Sequence, residues 1–348
     1  KVIRCQKIFI FFSNNITNQS ASTFPAFFKI MAYFPGVAMF FVMSGFLISA
    51  SLERNKELKT YFKNRALRIF PALWACLILT TISIYLFANI SFFNKEFIPW
   101  FFSQLVGFIY TPQFLNRFGF GSYNGSLWTI PLELQFYIVL PIIYFLTSRI
   151  SKNETYKTMV IIAIFLVFLA LTFIIKSEAN YASSGETLFQ KIIRYTFIPN
   201  IYLFLFGVVM QRLKIFQSNY IYGKGLLWIT AYLAFVYLIP SNTIAEMVKL
   251  LFLGIITISL AYSAPTLSKK LLRGNDISYG MYIYHGLVLG FVAHFKLFGN
   301  INYVLLIFLT TTLLAVLSWL FVEKPFMRKK KKSIHKIIDH QLSTSIAS

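Results

Sequence analysis

The chain has 348 residues, of which 57% are hydrophobic and only 13% charged, with a mean hydropathy of +0.66. A soluble domain of this length carries about twice that charged fraction, so a soluble cytosolic function is excluded and an all-α polytopic membrane helix bundle is expected. The formal net charge of +22 would suggest nucleic acid in a soluble protein; here Lys and Arg are read as holding loops on the cytoplasmic side, with no nucleic-acid partner. Cys5 and Cys76 offer neither a disulfide framework nor metal spacing.

In chain order, apolar runs able to cross roughly 30 Å of hydrocarbon fall at 33–52, 69–91, 128–147, 158–175, 195–211, 225–239, 246–263, 277–297 and 303–322. A further short run near 5–22, "IFIFF" followed by "SNNITNQS", is counted as a tenth span. The run "FIPWFFSQLVGFIY" at 97–110 is too short to cross comfortably. The loop "ERNKELKTYFKNRALR" carries Arg54, Lys56, Lys59, Lys63, Arg65 and Arg68, and the chain ends in a tail containing "RKKKK". These and the other basic loops share the cytoplasmic side only if 97–110 does not cross. The expectation is therefore about ten spans, both ends inside, with 97–110 re-entrant or interfacial. Residues 1–327 form one membrane domain and 328–348 a basic cytoplasmic tail.

Several polar groups break the apolar pattern. Glu133 is the only charged residue between Ile130 and Phe145. A carboxylate within a span costs several kcal/mol unless paired, protonated or wetted, which marks a functional candidate. Tyr137, four residues on, shares its helix face. Arg65 and Arg68 are three apart, and two guanidiniums on one face suit a phosphate-rich ligand, although an anchor on anionic lipid explains them equally. Pro71 reads as a helix-start residue. Ser278, Tyr282 and His285 make a polar stripe in an apolar span. Glu323 beside Lys324 reads as a local ion pair, and Ser44–Gly45 as a close helix contact.

Taken in order, "GVAMFFVMSGFLIS", "YFKNRALRIFPALW", "GSLWTIPLELQFYIVLPII", "ISYGMYIYHGLVL" and "FVEKPF" resemble the membrane-bound acyltransferase-3 family, which includes bacterial O-acetyltransferases of surface polysaccharides. The resemblance covers roughly residues 30–327. It implies a ten-helix bundle in the bacterial inner membrane, acyl-CoA (usually acetyl-CoA) as donor substrate with no bound cofactor, and a sugar or lipid-linked glycan as acceptor. By the same resemblance Arg65 and Arg68 match the family's R-x-x-R motif near the CoA phosphates. Glu133 and Tyr137 match its W-x-x-x-x-E-x-x-F-Y pattern in a buried catalytic cavity, with His285 a third catalytic candidate and Arg4 a further donor-binding one.

One departure stands out. The family's first span carries Arg, ten residues, then a His taken as the base; here Arg4 leads to Asn15, and no His precedes His285. Asn cannot accept a proton at neutral pH, so Glu133 is expected to orient or replace that base. Truncation or a garbled first span is one explanation, and an inactive family member another. The hydrolase-like domain that some members append is expected to be absent, because only 26 residues follow Val322. A glycan flippase is a rival, as buried polar groups also mark translocation routes, but no inverted repeat is found.

Overall fold

A computed structural model describes residues 33–54, 57–87, 95–115, 118–119, 123–181, 196–263, 266, 270, 275–297 and 302–327. Arg4, Asn15, the 5–22 run and the tail lie outside the described residues. The chain is all-α, and among the described residues there are ten main helices: α1 Gly36–Arg54, α2 Leu58–Phe87, α3 Phe97–Leu105, α4 Ile130–Ile150, α5 Glu154–Tyr181, α6 Ile201–Arg212, α7 Gly225–Leu238, α8 Thr243–Ala261, α9 Ser278–His294 and α10 Asn302–Ser318. Each apolar run between 33 and 322 that was expected to span overlaps one of them. Among the described residues six helical segments are long and apolar enough to cross a membrane, the α1, α2, α4, α5, α8 and α10 segments. The protein is a multi-pass membrane protein.

Three expectations are corrected. Helix α2 begins at Leu58, so Pro71 sits inside it rather than at its start. At 30 residues and 1.5 Å per residue, α2 is about 45 Å long, more than a bilayer core requires. Arg65 and Arg68 thus ride on helix, not on a loop. The 195–211 run becomes helical only at Ile201, and its 12 residues reach about 18 Å, too short to cross a bilayer alone. Glu323 does not pair with Lys324: it accepts from the Ser318 hydroxyl at 3.1 Å, while Lys324 donates to Asn275 at 3.0 Å. Neighbouring helical side chains point about 100° apart, so adjacency in sequence is not a contact.

The described residues fall into two compact units, which are taken separately. The first comprises those of Phe24–Tyr61 and Leu132–Arg273. The second comprises those of Phe62–Pro131 and Gly274–Ser348.

In the first unit α1 packs along α6, with α5 against α6, α8 against both, and α7 against α8. Two glycines make that approach possible. A Cβ on Gly45 would sit 1.9 Å from the Phe204 carbonyl oxygen, and one on Gly207 would sit 2.0 Å from that of Val42. Neither obstacle is a side chain that can rotate away. Lipid tails are as apolar as Leu, so close backbone packing, not hydrophobic exclusion, holds such helices together.

The ends of four helices meet at Arg212. Its guanidinium bonds Glu53 of α1 at 2.9 Å, Glu154 of α5 at 2.8 Å and the Thr158 hydroxyl at 3.0 Å, and lies over the Tyr144 ring of α4. A cation at the C-terminus of α6 and a carboxylate at the N-terminus of α5 also complement the two helix dipoles.

In the second unit α9 packs on α10 and on the 3-10 turn Gly125–Thr129. Gly280 admits the Ala315 backbone of α10, whose Cα lies 3.0 Å from where its Cβ would be. Helix α10 widens into a π turn over Trp319–Glu323. Helix α2 buries Ile69, Leu73, Cys76 and Leu77 while Trp74, Ile78, Ile82 and Tyr85 are exposed. That outward apolar stripe is the surface lipid would cover.

Gly207→Ala should destabilise the first unit by about 1–3 kcal/mol through overpacking, whereas Gly36→Ala, with nothing within 4 Å of its added Cβ, should change stability by less than about 0.5 kcal/mol. Thermal unfolding of the purified protein in nanodiscs compares them; equal midpoints would show that the α1–α6 contact is not tight.

Candidate functional site

Glu133 lies in the first turn of α4 and is 6% exposed. The Tyr137 hydroxyl donates to its Oε1. The pairing follows from i and i+4 positions on one helix face. Between them Phe136 points into the first unit, stacked on Phe204 at 4.6 Å and edge-on to Phe41 at 5.3 Å between ring centroids. Those rings fix the roll of α4 and hence the direction of the carboxyl. Tyr61 adds a hydrogen bond from its hydroxyl to the Tyr137 carbonyl at 3.2 Å. Gln135 accepts the Phe197 amide at 2.9 Å. A buried carboxyl with a phenol donor is a group that can hold or take a proton away from bulk water.

The second unit holds the remaining described candidates. Arg65 and Arg68 are half-buried on α2, and Arg68 makes an ion pair with Asp276 at 2.7 Å. Asp276 also accepts from the Ser278 hydroxyl at 2.6 Å and amide at 3.1 Å. Tyr279 donates to the Ile69 carbonyl at 3.2 Å, which ties α9 to α2 one residue beyond Arg68. Burial alone would raise the Asp276 carboxyl, but the Arg68 charge and the Ser278 hydrogen bonds outweigh it and hold the group below the usual carboxylate range.

His285 sits two turns along α9, with Nδ1 3.2 Å from the Met281 carbonyl oxygen. A carbonyl only accepts, so Nδ1 carries the proton and Nε2 keeps its lone pair. Tyr282 packs against His285 and reaches the Ser126 carbonyl at 2.6 Å and the Thr129 hydroxyl at 2.5 Å. Of the expected stripe, Tyr282 and His285 come together, while Ser278 turns back to Asp276.

The sequence reading missed Asn124, which is 2% exposed. Its amide donates to the Ile283 carbonyl of α9 at 2.9 Å, and its oxygen caps the 3-10 turn by accepting from the Ser126 amide and hydroxyl. A Cβ on Gly286 would sit 2.1 Å from that oxygen. The signal was present as "NG", which reads only as a turn. Asp276 and Asn275 were missed in the same way, as polar residues ahead of a helix.

The described geometry thus contains a buried carboxyl–phenol pair, a cationic helix face with a carboxylate partner, and an imidazole with a free lone pair. A sequence profile described as an acyltransferase domain, that of the acyltransferase-3 family, matches residues 8–322. The chain belongs to the acyltransferase-3 family. It is 27% identical over 327 residues to Nodulation protein 10 of Rhizobium leguminosarum bv. viciae, covering 86% of this chain and 84% of that protein. It is also 27% identical over 327 residues to the O-acetyl transferase of Shigella phage Sf6, covering 86% of each. Against O-acetyltransferase OatA of Staphylococcus aureus (strain NCTC 8325 / PS 47) it is 25% identical over 347 residues, spanning 86% of this chain but 53% of that protein. No solved structure matches the chain significantly.

The Asp276–Arg68 pair of this acyltransferase-3 chain should give a pH-dependent stability. The folded-state pKa of Asp276 is depressed, so its stabilisation is present above the ordinary Asp value and is lost as pH falls through the folded value. Both side chains are partly exposed, at 28% and 43%, which limits the pair to about 1 kcal/mol or less. Asp276→Asn should therefore lower the unfolding midpoint slightly at neutral pH and converge with the parent protein in acid. A difference that grows as pH falls would contradict the assignment.

Proposed function

We propose that this chain transfers an acetyl group from acetyl-CoA to a hydroxyl of a cell-surface or lipid-linked glycan. The observation that carries the reading is the Glu133–Tyr137 pair, a buried carboxyl held by a phenol on the segment that resembles the family's motif. Membership of the acyltransferase-3 family and two relatives named as O-acetyl transferases support it.

In this reading Glu133 takes the proton of the sugar hydroxyl and Tyr137 orients the carboxyl. The sugar oxygen attacks the thioester carbonyl carbon; the C–O ester bond forms, the C–S bond breaks, and the proton passes to the departing CoA thiolate. Hydrogen-bond donors near the carbonyl oxygen steady the developing negative charge. Arg65 and Arg68 bind phosphates of the donor as planar forks, with Arg4 assigned to the donor on resemblance alone. His285, with a lone pair on Nε2, is the second candidate base. The reaction belongs at the bacterial inner membrane, with both termini cytoplasmic and no nucleic acid involved.

A family member without activity is the second reading, favoured by Asn15 at the position where the resemblance expects a His. Release of free thiol from acetyl-CoA, measured in membranes that contain this chain and an acceptor glycan, separates the two. The enzyme reading expects turnover that falls at least about 100-fold in Glu133→Gln, the scale of lost general base catalysis. Turnover unchanged in Glu133→Gln would remove Glu133 from the chemistry, and no turnover by the parent chain would leave the inert reading.

A further inference from the structure

In the second unit the segment that follows α2 doubles back along it. Helices α2 and α9 run side by side: Tyr279 bonds the Ile69 carbonyl at one end, and Phe295 packs edge-on to Phe87 at 5.3 Å at the other. Helix α3 runs the opposite way. Its last carbonyl, that of Leu105, accepts from the Trp74 indole at 2.9 Å. Trp100, more than a turn earlier, lies edge-on to Tyr123 at 5.4 Å, and the Tyr123 carbonyl oxygen is 2.7 Å from where a Cβ on Gly290 would sit. Gly290 is near the Phe295 end of α9, so α3 begins towards the Phe87 end of α2. Gly107 then reverses the chain at a φ of 81°. The Gln113 amide returns to the Glu96 carboxylate at 3.0 Å, and Phe114 packs on Phe97 and Trp100 to close the hairpin.

At the mouth of this hairpin is an open pocket of about 410 Å³, a size suited to a small ligand. Tyr110 and Pro99 line it with apolar surface, and Lys95, Glu96, Thr111 and Gln113 line it with polar groups. One lysine and one glutamate cancel in charge, so the lining does not select an anion. Its polar share makes it a poor seat for an acyl chain. A sugar ring matches both parts: its C–H face packs on an aromatic ring, and its hydroxyls both donate and accept. The Tyr110 hydroxyl and the Gln113 side-chain amide bond no other described residue, and the Glu96 carboxylate is held by the Gln113 backbone. From Arg68 to Phe87 helix α2 covers about 28 Å, close to the depth of a hydrocarbon core. The pocket and the arginine pair therefore lie towards opposite ends of that helix.

We infer that this pocket binds a sugar unit of the acceptor glycan, at the end of α2 away from the arginine pair. The inference rests on the proposed glycan acceptor. Tyr110 is the platform for the sugar's apolar face, and Glu96 and Gln113 bond its hydroxyls. No bond is made or broken here. The pocket holds a part of the acceptor remote from the reacting hydroxyl, and such remote contacts supply binding energy to a transfer reaction.

The probe is surface polysaccharide from the cells in which the chain occurs, stripped of its acetyl esters by mild alkali. It is titrated against the full chain in phosphatidylcholine nanodiscs without any acyl donor, and Kd is read from saturation-transfer NMR. The parent chain should bind it. Tyr110→Ala and Gln113→Ala should each weaken binding about ten-fold, the scale of one lost aromatic or hydrogen-bonding contact, while Tyr110→Phe, which keeps the ring, should retain most of it. In turnover the two alanine variants should raise KM for the glycan and leave kcat and KM for acetyl-CoA unchanged, the signature of lost uniform binding. A Kd for Tyr110→Ala equal to that of the parent would overturn the inference, as would a parent chain that does not bind the polysaccharide. Thiol release from acetyl-CoA separates this result from the transfer reading. Release together with binding that ignores Tyr110 means that only this inference fails; binding that depends on Tyr110 without release supports the pocket while the transfer reading fails.

Discussion

The hydrogen bond from Tyr137 to Glu133 lets α4 carry a carboxyl group where there is almost no water to solvate it. In an apolar bundle each buried polar group must find its partner within the protein or lose several kcal/mol. The same constraint is visible through both units. Asn124 is satisfied by the Ile283 carbonyl and Ser126, Glu323 by Ser318, and Arg212 by two carboxylates and a hydroxyl. The bonds from Asn124 to Ile283 and from Arg212 to Glu53 and Glu154 join segments far apart in sequence, so they also fix which elements are neighbours.

Close packing supplies the rest. Gly45 and Gly207 let α1 and α6 approach until backbone meets side-chain position, and Phe136 then stacks on Phe204 of the helix so placed. The direction of Glu133 follows from that stack. The placement of the Glu133 carboxyl thus depends on packing at two glycines elsewhere in the first unit. In the second unit Gly280 and Gly286 play a comparable part, admitting α10 and the Asn124 side chain against α9.

Much of the architecture was legible in the sequence because hydrocarbon thickness sets a length and a composition that few soluble helices share. The Glu133–Tyr137 pair was legible from helical spacing, and the Ser44–Gly45 contact from residue size. The start of α2 was not, because six basic residues and a proline read as loop and helix start, while α2 simply extends beyond the apolar run. The partners of Lys324 and Glu323 were hidden by a π turn, which has no sequence signature. Asn124 and Asp276 were hidden because their partners, Ile283 and Arg68, are 159 and 208 positions away in the chain, a separation no local pattern encodes. Arg4 and Asn15 lie outside the described residues.

The claim on which the functional account turns is that this chain places acetyl groups on a glycan. The most direct test is an NMR count of O-acetyl groups on surface glycan from cells whose only copy of the activity is this 348-residue chain. The account predicts O-acetyl signals that disappear when the chain is deleted. A glycan with the same acetyl content with and without the chain would contradict it.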